Sequence, residues 1–417
     1  MSWTEELHPE LITKLEQVEQ KIAPQIKKLQ TVALNNQAKV LQAFRNQRIS
    51  DTHFMPVTGY GYDDMGRDAL EKVYAEAFGA EHALVRPQMI SGTHAIATAL
   101  FGILRPGDEL LYITGTPYDT LLEVIGLAGN GIGSMKEYDI HYDQVDLLTS
   151  GEVDFETVRK KMKPQTKVIG IQRSRGYADR PSFTIDKIRE MIQFVKQIDP
   201  TIIVFVDNCY GEFAEEVEPT QVGADLMAGS LIKNPGGGIA RTGGYLAGKK
   251  DLVERCAYRL TTPGVGSEGG AMLYSVYEML QGFFLAPHVV SQAIQGAVFT
   301  AALLATFGIE STPKWDEHRT DLIQMVELRE KEAMITFCQA IQKFSPIDSF
   351  VAPIPSYMPG YEDDIIMAAG TFVQGASMEL SADGPIRPPY MLYVQGGLTA
   401  EHVKIAVTNA VNDVFYS

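Results

Sequence analysis

The chain has 417 residues, 45% of them hydrophobic, enough to bury a large core and, at usual domain sizes, to fill two or three domains. Its 52 acidic residues outnumber 36 basic ones, for a formal charge of −16, and no lysine or arginine cluster offsets that balance, which argues against a nucleic-acid partner. Three cysteines without C-x-x-C spacing (Cys209, Cys256, Cys338) and eight scattered histidines give neither a disulfide framework nor a metal-binding pattern.

The opening MSWTEELHPELITK has no basic region followed by an apolar run. No later segment reads as apolar over the width of a bilayer, so a soluble cytoplasmic protein with no membrane partner is expected. Between about Leu11 and Arg48, apolar positions at helical spacing (Ile12, Leu15, Val18), broken by Pro24, predict two N-terminal helices outside the main body. From Met65 the pattern alternates: a helix to Phe78 closed by Gly79, the strand HALVRP, a helix from Ser91 to Leu104, the turn RPGD, the strand ELLYIT and a helix beginning near Tyr118. The helix DFETVRKKMK, the strand TKVIGIQ, the helix TIDKIREMIQFVKQI and the strand TIIVFVDN follow; the last lacks polar alternation and is expected to be buried on both faces. This is the rhythm of a mostly parallel sheet sandwiched by helices.

DLMAGSLIK and GGYLAG supply two further short strands, with helices over 251–260 and from 268 to about 307. After Thr312-Pro313, a helix over 322–343, short strands near Phe350, Ile365 and Met391, and a last helix over 400–415 predict a smaller α+β domain. The expected organisation is a helical segment over 1–50, a large α/β domain over 51–312 and a small α+β domain over 313–417.

The stretch GSLIKNPGGGIARTGGY, residues 229–245, carries one lysine, Lys233, and no acidic residue, with three glycines in succession after it. Small, apolar surroundings disfavour an ammonium ion, so the lysine is expected to have a lowered pKa and a neutral amine able to condense with an aldehyde. Pyridoxal phosphate is the natural aldehyde; taken alone, an ordinary solvated loop lysine is the simpler reading. Such a cofactor also needs an acid for its ring nitrogen, a face for its ring, donors for its phosphate and a cation for the substrate carboxylate. Asp207 ends the strand TIIVFVDN, at the edge where ligands sit in an open α/β sheet. Ser91 caps a helix whose first N–H groups, at Gly92 and Thr93, point outward along the helix dipole. Tyr118 follows TGTP at another strand end, and Arg387, expected within the apolar, proline-bounded strand DGPIRPPYMLYV, has a fork suited to a carboxylate. Each has a plainer structural explanation, but together they fit one cofactor.

Two other glycine patterns compete. Gly243 to Lys249 reads G-x-x-x-x-G-K, but Lys250 stands where a nucleotide-binding loop needs Ser or Thr. Gly264 to Gly269 reads G-x-G-x-x-G, yet a helical run rather than a strand precedes it.

In order and spacing these residues resemble the fold-type I pyridoxal-phosphate enzymes of cysteine and methionine metabolism, the cystathionine lyases and methionine gamma-lyase, and in particular the divergent branch called aluminium-resistance or methionine gamma-lyase-like proteins. The resemblance runs from about Gly59 to the C-terminus, as motif order. It implies the aspartate aminotransferase-like α/β fold, with a mostly parallel seven-stranded sheet, and a homotetramer built from dimers with shared sites. In that family a Ser-Gly turn opens the phosphate-binding helix, matched by Ser91, Gly92 and Thr93, and the stacking tyrosine is matched by Tyr118. The Asp-Asn pair at a strand end is matched by Asp207-Asn208, the Ser-x-Thr-Lys by Ser230-Leu231-Ile232-Lys233, and the carboxylate-binding arginine by Arg387. Ile232 replaces a hydroxyl, and the neighbouring-subunit Tyr-x-Arg motif reads Tyr60-Gly61-Tyr62, which leaves the phosphate's cation open among Arg67, Arg173 and Arg175. The implied activity is a carbon–sulfur lyase performing beta- or gamma-elimination on a small amino-acid substrate: cystathionine, cysteine or methionine. The alternatives are transamination, gamma-replacement or non-catalytic binding of pyridoxal phosphate.

Overall fold

The computed structural model describes residues 2–358 and 363–416. By contact the chain divides into two units, one comprising Asn36–Phe284 and the other Met1–Asn35 with Leu285–Ser417. The first helix, α1 (Pro9–Asn46), runs unbroken through Pro24, where two helices were expected. Leu11, Leu15, Val18, Ile22 and Leu29 are all buried on both sides of the proline. Burial of that continuous stripe, at about 1.5–3 kcal/mol per large apolar side chain, outweighs the roughly 3 kcal/mol penalty of an internal proline. The same burial shows that α1 is packed rather than peripheral.

In the unit Asn36–Phe284 the alternation is realised as α2 (Met65–Ala77), β1 (His82–Arg86), α3 (Gly92–Ile103), β2 (Glu109–Tyr112), α4 (Asp119–Ile125) and β3 (His141–Gln144). It continues as α5 (Phe155–Lys161), β4 (Thr166–Gln172), α6 (Ile185–Ile198), β5 (Ile203–Asp207), β6 (Leu226–Ser230), β7 (Gly244–Gly248) and α7 (Lys250–Leu260). The seven strands form one sheet in the order β1-β7-β6-β5-β4-β2-β3, with β7 antiparallel to both its neighbours. The other adjacent pairs run parallel, as the βαβ rhythm predicts.

Both faces of the sheet are covered. On one, Phe205 of β5 and Ala228 of β6 pack with Ala95, Ile96 and Ala99 of α3 and Val253 of α7. On the other, Tyr245 of β7 meets Tyr74 of α2 and Phe78 just after it in an aromatic cluster with Phe213 and Phe283. Because side chains alternate along a strand, Asp207 and Ser230 emerge on the same face as Phe205 and Ala228, the face that carries α3.

The apolar helix α8 (Ser275–Ala305) begins after a 3-10 turn at Gly266–Glu268, later than expected. It is long and apolar enough to cross a membrane, contrary to the sequence reading, but 78% of its most apolar window is buried within the protein. The contact boundary between the units falls inside it.

The second unit contains β8 (Ser311–Thr312), β9 (Gln324–Glu327), α9 (Lys331–Lys343), β10 (Ile365–Ala368), β11 (Ser381–Pro385), β12 (Met391–Gln395) and α10 (Ala400–Phe415). Its strands form an antiparallel sheet in the order β10-β11-β12-β9-β8. The helix expected over 322–343 is split: its first part is β9, paired with both β8 and β12, and only the remainder is helical. No strand lies at Phe350, which is 87% exposed. β11 escaped the sequence reading because its buried residues, Ser381, Ala382 and Asp383, are small or polar.

Phe205 is fully buried at the centre of the seven-stranded sheet. Phe205→Ala is expected to lower the unfolding free energy by about 3–5 kcal/mol in urea titration; a loss below about 1 kcal/mol would contradict this placement of the core.

Candidate active site

The parallel strands β4, β5 and β6 end side by side, with Gln172 opposite Asp207 and Asp207 opposite Ala228. Just beyond these carboxyl ends lies a cavity of ≈180 Å³. Its lining brings together Ser91, Gly92, Thr93, Tyr118, Asp207, Ser230 and Lys233, which the sequence had singled out.

Each side chain arrives by a different element. Ser91 caps α3, its Oγ accepting the His94 N–H at 3.0 Å, so its oxygen shapes the helix start. The N–H groups of Gly92 and Thr93, in the first turn, have no acceptor in their own helix. A Cβ at Gly92 would stand 3.2 Å from Ser230 Cβ and 3.3 Å from Cys209 Sγ, so glycine leaves space between the helix start and β6. Ser230 Oγ is buried and without a hydrogen-bond partner among the described residues. Tyr118 caps α4; its N–H donates to Gln172 Oε1 at 2.7 Å, and Gln172 in turn donates to the Ser174 carbonyl. Thr93 and Thr120 join hydroxyls at 2.7 Å beside it.

Lys233 stands before a short 3-10 turn, Asn234–Gly236, that ends at Gly237 with φ +55°. The glycines serve close packing: a Cβ on Gly282 of α8 would stand 2.2 Å from the Gly236 carbonyl oxygen, so helix and lysine turn meet backbone to backbone. Lys233 Nζ lies 4.1 Å from the centroid of the Tyr210 ring.

The expectation of a depressed lysine pKa is overturned. Desolvation does work against the charge, but Cys209, Tyr210, Asp207 and Tyr118 together outweigh it and hold the ammonium above the ordinary lysine value. Burial pushes the Cys209 thiol far up, so Asp207 is the neighbour whose negative charge acts near neutral pH. The lysine stretch contains no acid of its own; the fold delivers one from β5. Asp207 is itself raised by burial, opposed by Lys233 and by the Cys209 N–H, which its Oδ1 accepts at 3.1 Å.

Behind Asp207 a buried polar network fixes the strand end. Asn208 accepts from Arg173 at 2.9 Å and donates to Glu218 at 3.0 Å, and Arg173 also pairs with Glu215 at 2.8 Å. Glu212, fully buried, accepts the Tyr245 hydroxyl at 2.7 Å, and burial pushes its carboxyl up to about 8.

Of the arginines left open for a phosphate, Arg173 is committed to this network, and Arg67 to Asp68 at 3.0 Å and the Gly61 carbonyl at 2.5 Å. Arg175 is buried, its N–H donated to Ser182. Among the described residues lining the cavity, Lys233 is the one cationic side chain. Tyr60 does not line the cavity; it is 79% exposed and stacked on Tyr62 at 5.6 Å. Arg387 belongs to the other unit. It lies in the turn between β11 and β12 rather than in a strand, exposed and paired with Asp363 at 3.1 Å. The competing glycine motifs resolve as well: Gly244–Gly248 is β7, with Lys249 paired to Asp225 at 2.7 Å, and the 264–269 segment is a loop containing a 3-10 turn. Sequence reasoning missed Cys209, Tyr210 and Gln172. The signal for the first two was their place just after Asp207-Asn208 at a strand end.

The family model described as "Methionine gamma-lyase" matches residues 11–415. The chain belongs to the methionine gamma-lyase family. It is 63% identical to the Bacillus subtilis protein YnbB over 409 residues, 98% of this chain and 97% of that one. Among solved structures, the carbon-sulfur lyase involved in aluminum resistance from Clostridium novyi is 49% identical, covers 97% of this chain and 96% of its own, and superposes with a TM-score of 0.94. The pyridoxal-5'-phosphate dependent protein YhfS from Escherichia coli, 16% identical over 93% of this chain and 96% of its own, has a TM-score of 0.61, a likeness of fold. The architecture is thus that of the fold-type I pyridoxal-phosphate enzymes, as expected.

Two predictions follow from the electrostatics of this member of the family. Asp207→Asn removes the negative charge that holds the Lys233 proton, so labelling of Lys233 by an amine reagent, followed by peptide mass spectrometry against pH, is expected to reach half-completion at lower pH than in the wild type. An unchanged midpoint would mean that Asp207 does not set the state of the lysine. Glu212 binds its proton more tightly folded than unfolded, so between the ordinary value of 4.5 and about 8 the native state carries the extra proton. Stability therefore declines as pH rises through that window, by on the order of 1 kcal/mol per pH unit, and is flat for this group outside it. Glu212→Gln is expected to lose that alkaline decline in urea titrations from pH 5 to pH 9, and parallel curves for the two proteins would refute it.

Proposed function

We propose that this protein is a pyridoxal-phosphate-dependent carbon–sulfur lyase that eliminates a thiol from a sulfur amino acid. The observation that carries the reading is the meeting, in one cavity, of Lys233 and Asp207 with the open N-terminus of α3, in a chain of the methionine gamma-lyase family. The donors present suit the cofactor. The free N–H groups of Gly92 and Thr93, the unpartnered Ser230 Oγ and the space left by Gly92 suit a phosphate; Asp207 suits a protonated ring nitrogen, and Tyr118 offers an aromatic face. When bound, the cofactor supplies an electron sink for charge developing at the substrate Cα.

The chain's own residues do the rest. Lys233 Nζ, once neutral, takes the Cα proton, and Asp207 and the face of Tyr210 stabilise the resulting ammonium. The Tyr118 hydroxyl donates a proton to the departing sulfur, and Gln172, bonded to the Tyr118 backbone, keeps that residue at the cavity wall. The family resemblance gives the substrate carboxylate to Arg387, whose guanidinium must exchange Asp363 for it. With water, elimination leaves a free thiol, ammonia and a 2-oxo acid.

The bound phosphate needs a further cation, and the commitment of Arg67 and Arg173 to internal partners, together with the exposed Tyr60, supports a second copy of the chain completing the site. The reading includes the homotetramer of dimers that the family resemblance implies, and a cytoplasmic location.

The test is direct. Purified protein supplied with pyridoxal phosphate is expected to be yellow, and borohydride is expected to leave a pyridoxyl group on Lys233 in the peptide map. Incubation with cystathionine, cysteine and methionine should release thiol and 2-oxo acid from at least one, with Lys233→Ala lowering the rate at least a thousandfold, on the order of what loss of a combined nucleophile and base costs. Wild-type protein that stays colourless and yields no oxo acid would sink the lyase.

A further inference from the structure

Tyr210 has no counterpart among the residues that the sequence assigned a role, yet it touches the one on which the chemistry turns. Lys233 Nζ sits 4.1 Å from its ring centroid, and both residues line the same cavity. The backbone of Tyr210 is in the left-handed region, φ +71°, which a bulky residue adopts only when its surroundings impose it. Here the imposition is visible. Asn234, fully buried and next to Lys233 in sequence, donates its Nδ2 to the carbonyls of Tyr210 and Glu212, each at 2.9 Å. The Gly211 N–H closes the turn onto the Asn208 carbonyl at 2.9 Å. The residue that follows the lysine thus also braces the ring beneath it.

We propose that Tyr210 is a positioning residue for the amine of Lys233, whose ring face holds the ammonium at the cavity wall whenever Nζ is not covalently engaged. This rests on the lyase reading for its catalytic meaning. An aromatic face attracts an ammonium through its quadrupole and a neutral amine much less, so the contact strengthens as Nζ gains the proton taken from Cα. An interaction of that kind, stronger after proton transfer than before, favours the transfer and keeps the loaded amine in place to pass the proton on. The ring is what matters, not its hydroxyl. The other titratable groups facing Lys233 are Asp207 from the end of β5, Cys209 beside it and Tyr118 from the start of α4, with Glu212 behind the turn.

The experiment compares full-length wild type, Tyr210→Phe and Tyr210→Leu, each treated with hydroxylamine to leave Lys233 a free amine. Thermal melts establish that the three are folded. Labelling of Lys233 by an amine reagent is followed across pH by peptide mass spectrometry. Tyr210→Leu is expected to reach half-labelling about half to one pH unit lower than wild type, while Tyr210→Phe is unchanged. In the reconstituted enzymes Tyr210→Leu is expected to lower kcat about tenfold with KM nearly constant. A midpoint in Tyr210→Leu equal to that of wild type, or an equal shift in Tyr210→Phe, would overturn the proposal. Labelling needs no turnover, so failure of the lyase reading leaves this arm intact: a shifted midpoint with no thiol release condemns the reaction, not the placement of the amine.

Discussion

An ammonium ion and a carboxylate that face one cavity and act on each other through it have to be supplied by separate parts of the chain. Lys233 and Asp207 meet that requirement because β5 and β6 are neighbours in a parallel sheet, so both chains deliver their next residues at the same edge and on the same face. Most of the fold around them can be understood as enforcement of that meeting. The αβ crossovers bring the start of α3 to the same edge, and the antiparallel β7 seals the far side of β6.

The support behind the pair is as specific as the pair itself. Asn208, the residue after Asp207, is held by Arg173 and Glu218, which are fully buried and satisfy one another. A half-completed network of this type costs more than an apolar core, so its members stand or fall together. Asn234 does the corresponding work after Lys233, binding two carbonyls of the turn that carries Tyr210. Asp207 and Lys233 are thus each followed in sequence by a buried amide that anchors the chain there. The cost of folding a polar layer into the interior is concentrated where the geometry has to be held.

Much of this was legible in the sequence, for identifiable reasons. Continuous apolar strands such as TIIVFVDN can only be central, and a polar residue at their end has only the sheet edge to occupy; hence Asp207 was found. Ser91 announced itself as a cap ahead of a helical period. The stretch around Lys233 lacks an acid while the fold supplies one, because the charge environment of a side chain belongs to tertiary structure. Pro24 reads locally as a helix break, but the buried stripe of Leu11, Leu15, Val18, Ile22 and Leu29 carries α1 through it. The strand at Gln324–Glu327 was hidden inside an apolar run of helical length, and β11 was invisible because small and polar residues fill its buried positions. The position of Tyr210 just after a strand end is visible in the sequence, but the left-handed backbone that sets its ring beside Lys233 is not.

The position of β1 at the edge of the large sheet, hydrogen-bonded to β7 alone, bears on how the protein is made. A ribosome delivers β1 first and β7 last of the seven strands, so the earliest strand waits for the synthesis of Gly244–Gly248 before it has a neighbour. The loop leaving β1 leads directly into α3, whose first turn lines the cavity. The nascent chain therefore cannot assemble the cavity until more than half of it has emerged, and Asp207 and Lys233 are both already synthesised when it closes. Closure of the cavity is thus deferred until the last of the seven strands is made, and until then β1 has an unpaired edge.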